Sequence, residues 1–170
     1  MLKIGDLIIY AGHGICRIDE ICDKTYAGIT KTYYVLHPIE NNQQLTISTP
    51  VDNETAIMHL MDQEEANHVL QSFYSDGVDW IEKTPIRGKV YSNIINSRNR
   101  LEIAKLANTL LRKKYELEKD GKKLYELDSK LLLSIQSILF KELALAYNIS
   151  TQAILEKIET IIINNEKMAN

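Results

Sequence analysis

Proline and glycine are scarce, 3 and 7 in 170 residues, which leaves no room for a long flexible linker or a collagen-like repeat. Two cysteines, Cys16 and Cys22, are too few for a disulfide scaffold, and such sparing use fits a reducing compartment. No apolar run reaches the ~18 residues of a membrane-spanning helix, because Lys, Glu and Asn interrupt every greasy stretch. The opening MLKIGDLIIYAGHG meets Asp6 early and offers no small-residue cleavage site, so it reads as part of the fold rather than a secretory leader. Membrane, small secreted and fibrous classes are thereby set aside, and a cytoplasmic protein is expected.

What is present has the balance of a globular chain, 45% apolar and 25% charged. The net charge of -3 argues against a nucleic-acid binder until its distribution is read. Residues 1–68 hold 4 basic and 10 acidic side chains, whereas residues 80–123 hold 12 basic and 5 acidic. A basic stretch on an acidic chain points to an anionic partner for that half.

The hydrophobic period also changes along the chain. Leu7–Tyr10, Gly14–Ile21, Thr32–Leu36 and Leu45–Thr49 are short runs rich in Ile, Val, Thr and Tyr, joined by turns at Ala11–Gly14, Tyr26–Gly28 and Glu40–Gln43. They suggest a small antiparallel barrel or strongly bent sheet, and Pro50 closes its last strand. From about Glu64 the spacing becomes helical, with Ala66, Val69, Leu70 and Phe73 on one stripe. Thr84-Pro85 reads as a helix start. A longer helix from Arg100 to Leu117 would bury Leu101, Ala104, Leu106, Ala107, Leu110 and Leu111, and Gly121 would end it. Leu127–Tyr147 reads as a central helix, followed by one capped by Ser150. The expected layout is α+β: a β-barrel over residues 1–60, then an all-α helical bundle over residues 61–170.

Catalytic signatures are absent. There is no glycine-rich phosphate loop and no nucleophile elbow, and His13, Cys16 and Cys22 lack metal-ligand spacing. No cofactor and no metal are expected. The exceptional residue is Trp80, the only tryptophan, which lies on a connector ahead of Lys83, Arg87 and Lys89. A planar apolar ring among phosphate-seeking cations is the combination that inserts at a base step while anchoring the backbone. Phosphate contacts position such a wedge but read no sequence.

The run KIGDLIIYAGHGICRIDEI, with Lys3, Gly5, Asp6, Tyr10, His13 and Gly14 at their places, resembles the opening of the CarD/CdnL family of bacterial transcription regulators. That N-terminal module is shared with the polymerase-interaction domain of transcription-repair coupling factor. KTYYVL (31–36), LTISTPVDN (45–53), Trp80-Ile81, the Arg87-Gly88-Lys89 cluster and FKELALA (140–146) continue the resemblance in order. It implies a non-enzymatic regulator with a Tudor/SH3-like barrel on the β subunit of RNA polymerase and a helical domain on promoter DNA, stabilising the open complex. Carried over by position, Trp80 is the minor-groove wedge, with Arg87 and Lys89 on phosphates; Lys83 joins them by proximity. Lys24 and the strand residues Thr46, Ile47 and Ser48 would face the polymerase. Departures from the family pattern are Ala11 for proline, Ser48 for arginine, Arg98 for a turn glycine, and Tyr125 for a capping Ser or Thr. The competing reading is a protein-only interaction module in which Trp80 is core.

Overall fold

The runs rich in β-branched residues and tyrosine form five strands: β1 (Leu7–Tyr10), β2 (Gly14–Tyr26), β3 (Ile29–Pro38), β4 (Ile47–Pro50) and β5 (Ile57–His59). The protein is seen in a computed structural model that describes residues 1–40 and 44–169, so most of the expected Glu40–Gln43 turn lies outside the described residues. The strands pair antiparallel in the order β4-β3-β2-β1-β5. This corrects the expected barrel. The sheet is open, with β4 and β5 as its edges, and these strands of 4 and 3 residues, about 10–13 Å long, offer little ladder for closure.

β2 and β3 run further than their apolar segments, because cross-strand polar pairs carry the ladder outward. Thr25 meets Thr30 at 2.8 Å, and the Thr32 hydroxyl donates to Asp23 at 2.7 Å. The hairpin turns on Ala27 and Gly28, whose φ values of 52° and 77° suit a two-residue turn matched to strand twist. A bulge between Ile18 and Glu20 shifts the register, so Ile18 and Ile21 both face the core with Ile8, Cys16, Tyr34 and Leu36. Strand burial pushes the Cys16 thiol up to about 11, so it behaves as a small core residue.

The helical residues form α1 (Gln63–Gln71), α2 (Thr84–Asn96), α3 (Arg100–Lys119), α4 (Glu126–Ile135), α5 (Lys141–Tyr147) and α6 (Thr151–Ala169), with a π-helical turn at Gln136–Phe140 joining α4 to α5. Their ends follow local chemistry. The Asn99 side chain caps α3 at 3.2 Å and Ser150 caps α6 at 3.0 Å. Gly121, at φ 70°, closes α3 with paired bonds from Gly121 to Glu118 and from Lys122 to Leu117. Lys83, rather than Thr84, holds the N-cap position of α2, and Tyr125 caps α4 without a side-chain bond. Arg98 takes the left-handed φ of 59° that a turn glycine would adopt freely.

Phe73, Leu106, Leu110, Phe140, Leu143 and Ile158 lie at the centre of this helical core. Leu101, expected on the buried stripe, is exposed. The chain divides into two compact units, Met1–Leu60 and Met61–Asn170. No single helix among the described residues is long and apolar enough to cross a membrane.

A buried carboxylate ties the helical unit together. Glu142, only 2% exposed, accepts from the Met61 main chain at 3.1 Å and from Arg100 at 2.7 and 3.2 Å, while Arg100 also reaches Glu65 at 2.9 Å. Burial pushes the Glu142 carboxyl above its ordinary range, and Arg100 opposes that shift. Removing the guanidinium leaves a charge in the core. Arg100→Met should therefore cost about 3–5 kcal/mol of stability at neutral pH. A carboxyl with a raised folded value takes up a proton on folding, so the deficit relative to wild type should shrink as pH falls from neutral toward ~4.3, the unfolded value. Denaturant unfolding of both proteins at neutral and mildly acidic pH measures the difference.

Candidate functional site

Strand β4 presents main chain at the sheet edge. The Val51 amide donates to the Thr32 carbonyl at 3.1 Å, continuing the β4–β3 ladder. By the two-residue alternation, Thr49 and Ile47 also turn their amides to β3, and the N–H and C=O of Ser48 face outward. Pro50 has no N–H, so the available edge is short. Lys24 Nζ donates to Ser48 Oγ at 2.7 Å, placing a cation on that edge, and Thr46 Oγ1 meets His37 Nε2 at 2.9 Å. Lys24, Thr46 and Ser48 thus gather at one rim, whereas Ile47 packs inward on the sheet core.

In the helical unit, residues 75–83 run without helix or strand between the turn Ser72–Tyr74 and α2, and side chains catch their carbonyls in succession. Asn108 Nδ2 donates to Ser75 O at 2.7 Å and Thr109 Oγ1 to Val78 O at 2.6 Å. The Tyr91 hydroxyl donates to Asp79 O at 2.7 Å, and Arg87 Nη1 to Ile81 O and Glu82 O at 2.8 and 3.1 Å. All four donor residues are buried, and burial pushes the Tyr91 hydroxyl up, keeping it a donor. Gly77 lets the connector lie directly on α3. A Cβ there would stand 2.2 Å from Thr109 Oγ1 and 2.6 Å from the Lys105 carbonyl.

Trp80 sits at the middle of this held segment, half-buried on the helical core. Its ring has the Arg87 guanidinium carbon 4.4 Å from its centroid and Lys113 Nζ at 5.0 Å, and Tyr91 meets it edge-on at 6.4 Å. No hydrogen bond engages the indole N–H among the described residues.

Arg87 requires a correction. Expected on a phosphate, it is 1% exposed and spends Nε and Nη2 on the two oxygens of Asp128, each at 2.9 Å. The Asp128 carboxylate holds the Arg87 guanidinium above its ordinary value, and no donor fork is left facing solvent. Lys83 and Lys89 are exposed and join no ion pair among the described residues. Sequence reasoning missed Lys113, Asp128, Asn108 and Thr109. The signal for the last two was polar residues between Ala107 and Leu110, inside an apolar stripe. For Asp128 it was a charge one turn into a nearly apolar helix.

Residues 2–61 match the family model of the CarD-like/TRCF RID domain. Over its first unit the chain carries a domain similar to the CarD-like/TRCF RID family. No curated protein matches the chain. The RID domain is a protein-interaction module rather than an enzyme fold, and its family interacts with the β subunit of RNA polymerase. The Lys24–Ser48 rim lies within the matched residues. Among the described residues no group of His, Cys, Asp and Glu is placed to hold a metal ion.

The Gly77 contact generates a prediction. Gly77→Ala must displace either Thr109 or the connector, and should destabilise the helical unit by about 1–3 kcal/mol. Because the connector carries Trp80, the thermal melt and the tryptophan emission maximum should move together. An unchanged melt would show that the connector is not held against α3.

Proposed function

We propose that this protein is a non-enzymatic transcription regulator that bridges RNA polymerase and promoter DNA. Its RID domain docks on the β subunit through the outward edge of β4, with Lys24 at the rim. Its helical unit presents Trp80 to the minor groove at the upstream edge of the melted region, where Lys83, Lys89 and Lys113 meet phosphates. The observation that carries the polymerase half is the family match over residues 2–61. The DNA half rests on a half-buried tryptophan with an unengaged indole N–H, held on a pinned connector beside cations. The polymerase delivers the protein, so it needs no operator of its own; free protein binds duplex weakly and in a salt-sensitive manner.

The mechanism is differential binding. An apolar ring between base steps costs unstacking energy in intact duplex but little at a junction that is already distorted. A protein that binds the melted state more tightly than the closed one shifts the equilibrium by that difference and by nothing else. No bond is made or broken by the protein.

The protein-only reading retains one favourable observation, the packing of Trp80 on Tyr91 and the helical core. Substitution separates the two. Trp80→Ala should cost about 1–3 kcal/mol of open-complex stability, roughly a 5- to 150-fold change, and Trp80→Phe should recover part of it. A large fall in melting temperature with an unchanged open-complex lifetime would favour the protein-only module.

The polymerase arm has its own test. Ser48→Pro deletes an outward amide while leaving the ladder to β3 intact, and should weaken polymerase binding by about 10-fold, the worth of one hydrogen bond. Ser48→Ala keeps that amide and should bind more nearly like wild type. Equal binding by all three proteins in a titration against core polymerase would remove the β4 edge from the interface.

A further inference from the structure

We propose that Arg87, locked to Asp128, is a positioning residue that presets Trp80 before DNA arrives; the inference rests on the DNA-facing reading of that tryptophan. The two oxygens of Asp128 take Nε and Nη2 at 2.9 Å each, which fixes the guanidinium plane. The third nitrogen, Nη1, holds the carbonyls of Ile81 and Glu82, the two residues that follow Trp80. The same group stands 4.4 Å from the indole centroid. One planar cation therefore sets both the ring and the main chain that bears it.

Stability alone does not explain such a pair. Withdrawing two charges from water costs about as much as their attraction returns, and buried ion pairs are commonly replaced by apolar residues without loss. What the pair supplies is direction. Lysine could neutralise Asp128 but has no fork with which to grip two carbonyls and a carboxylate in one plane.

The neighbouring contacts point the same way. Asn108, Thr109 and Tyr91 catch Ser75, Val78 and Asp79 on the other side of Trp80. Arg87, Asn108, Thr109 and Asp128 are four of the buried polar or charged side chains in the helical unit, and all four act directly on this connector or through Arg87. A ring held in place beforehand avoids the ordering cost that a free side chain meets on binding. Asp128 lies in α4, so the wedge is tied to that helix as well as to its own connector.

The test uses the full-length protein. Arg87→Met combined with Asp128→Leu removes both charges and keeps an apolar fill, and Arg87→Lys keeps the charge without the fork. Each is compared with wild type and Trp80→Ala in three measurements: thermal melting, acrylamide quenching with time-resolved anisotropy of Trp80, and open-complex lifetime on a promoter. The double variant is expected to melt near wild type, yet to show a faster-moving, more quenchable Trp80 and a lifetime shortened about 2- to 10-fold. Arg87→Lys should shift the same two readouts, and it decides the matter if the double variant does not fold. Unchanged quenching, anisotropy and lifetime, while Trp80→Ala shortens the lifetime, would overturn the positioning role and leave the DNA-facing reading standing. If Trp80→Ala leaves the lifetime unchanged, the DNA-facing reading fails, and the DNA purpose of the proposal fails with it.

Discussion

A guanidinium held by both oxygens of a buried carboxylate has one plane left to it, and in this protein its central carbon stands 4.4 Å from the ring centroid of the only tryptophan. The Arg87–Asp128 pair joins α2 to α4, and from that junction Arg87 reaches the two carbonyls after Trp80. Remove it and the connector loses its grip at one end, the indole loses its stacked cation, and α4 keeps an unpaired charge in its first turn. The helical core gives the connector a floor, but an apolar floor does not set a direction. Directional bonds do, and they come from a few polar side chains set among the hydrophobic ones.

The N-terminal unit meets a different constraint. A sheet that stays open must manage two edges, and here both edge strands are short. At β4 the available main chain is limited by Pro50 on one side, and Lys24 stands on the rim through its bond to Ser48. Such an edge suits docking by strand addition without inviting indiscriminate pairing. Ser48 is therefore not an empty position on that edge, since its hydroxyl accepts from a cation supplied by β2.

The helical unit uses buried charge twice, in two ways. At Arg87 and Asp128 the charges are matched one to one. At Glu142 the carboxylate gathers the Met61 amide and Arg100, which is itself shared with Glu65. The first arrangement holds the main chain that follows Trp80; the second fastens the beginning of the unit to α3 and α5. Both rely on arginine, whose fork can serve several acceptors at once.

Much of this architecture was written in local chemistry. The switch from strand to helical period, the caps at Asn99 and Ser150, and the stop at Gly121 each depend on a few adjacent residues, and so does the motif from Lys3 to Gly14 that marks the RID domain. Sheet closure was not legible, because it depends on whether two distant edges meet. Nor was the fate of α2. There Ile86 and Val90 are exposed while Arg87 is buried, the reverse of what polarity alone predicts. The reason is Asp128, 41 residues further on, which offers Arg87 a better partner than water. The sequence alone determined the change from strands to helices, the stop at Gly121, the cap at Ser150 and the singular tryptophan. Which cation faces solvent, which one turns inward to hold that tryptophan, and which strand edge stays open were decided only by tertiary structure, because each depends on a partner distant in the chain.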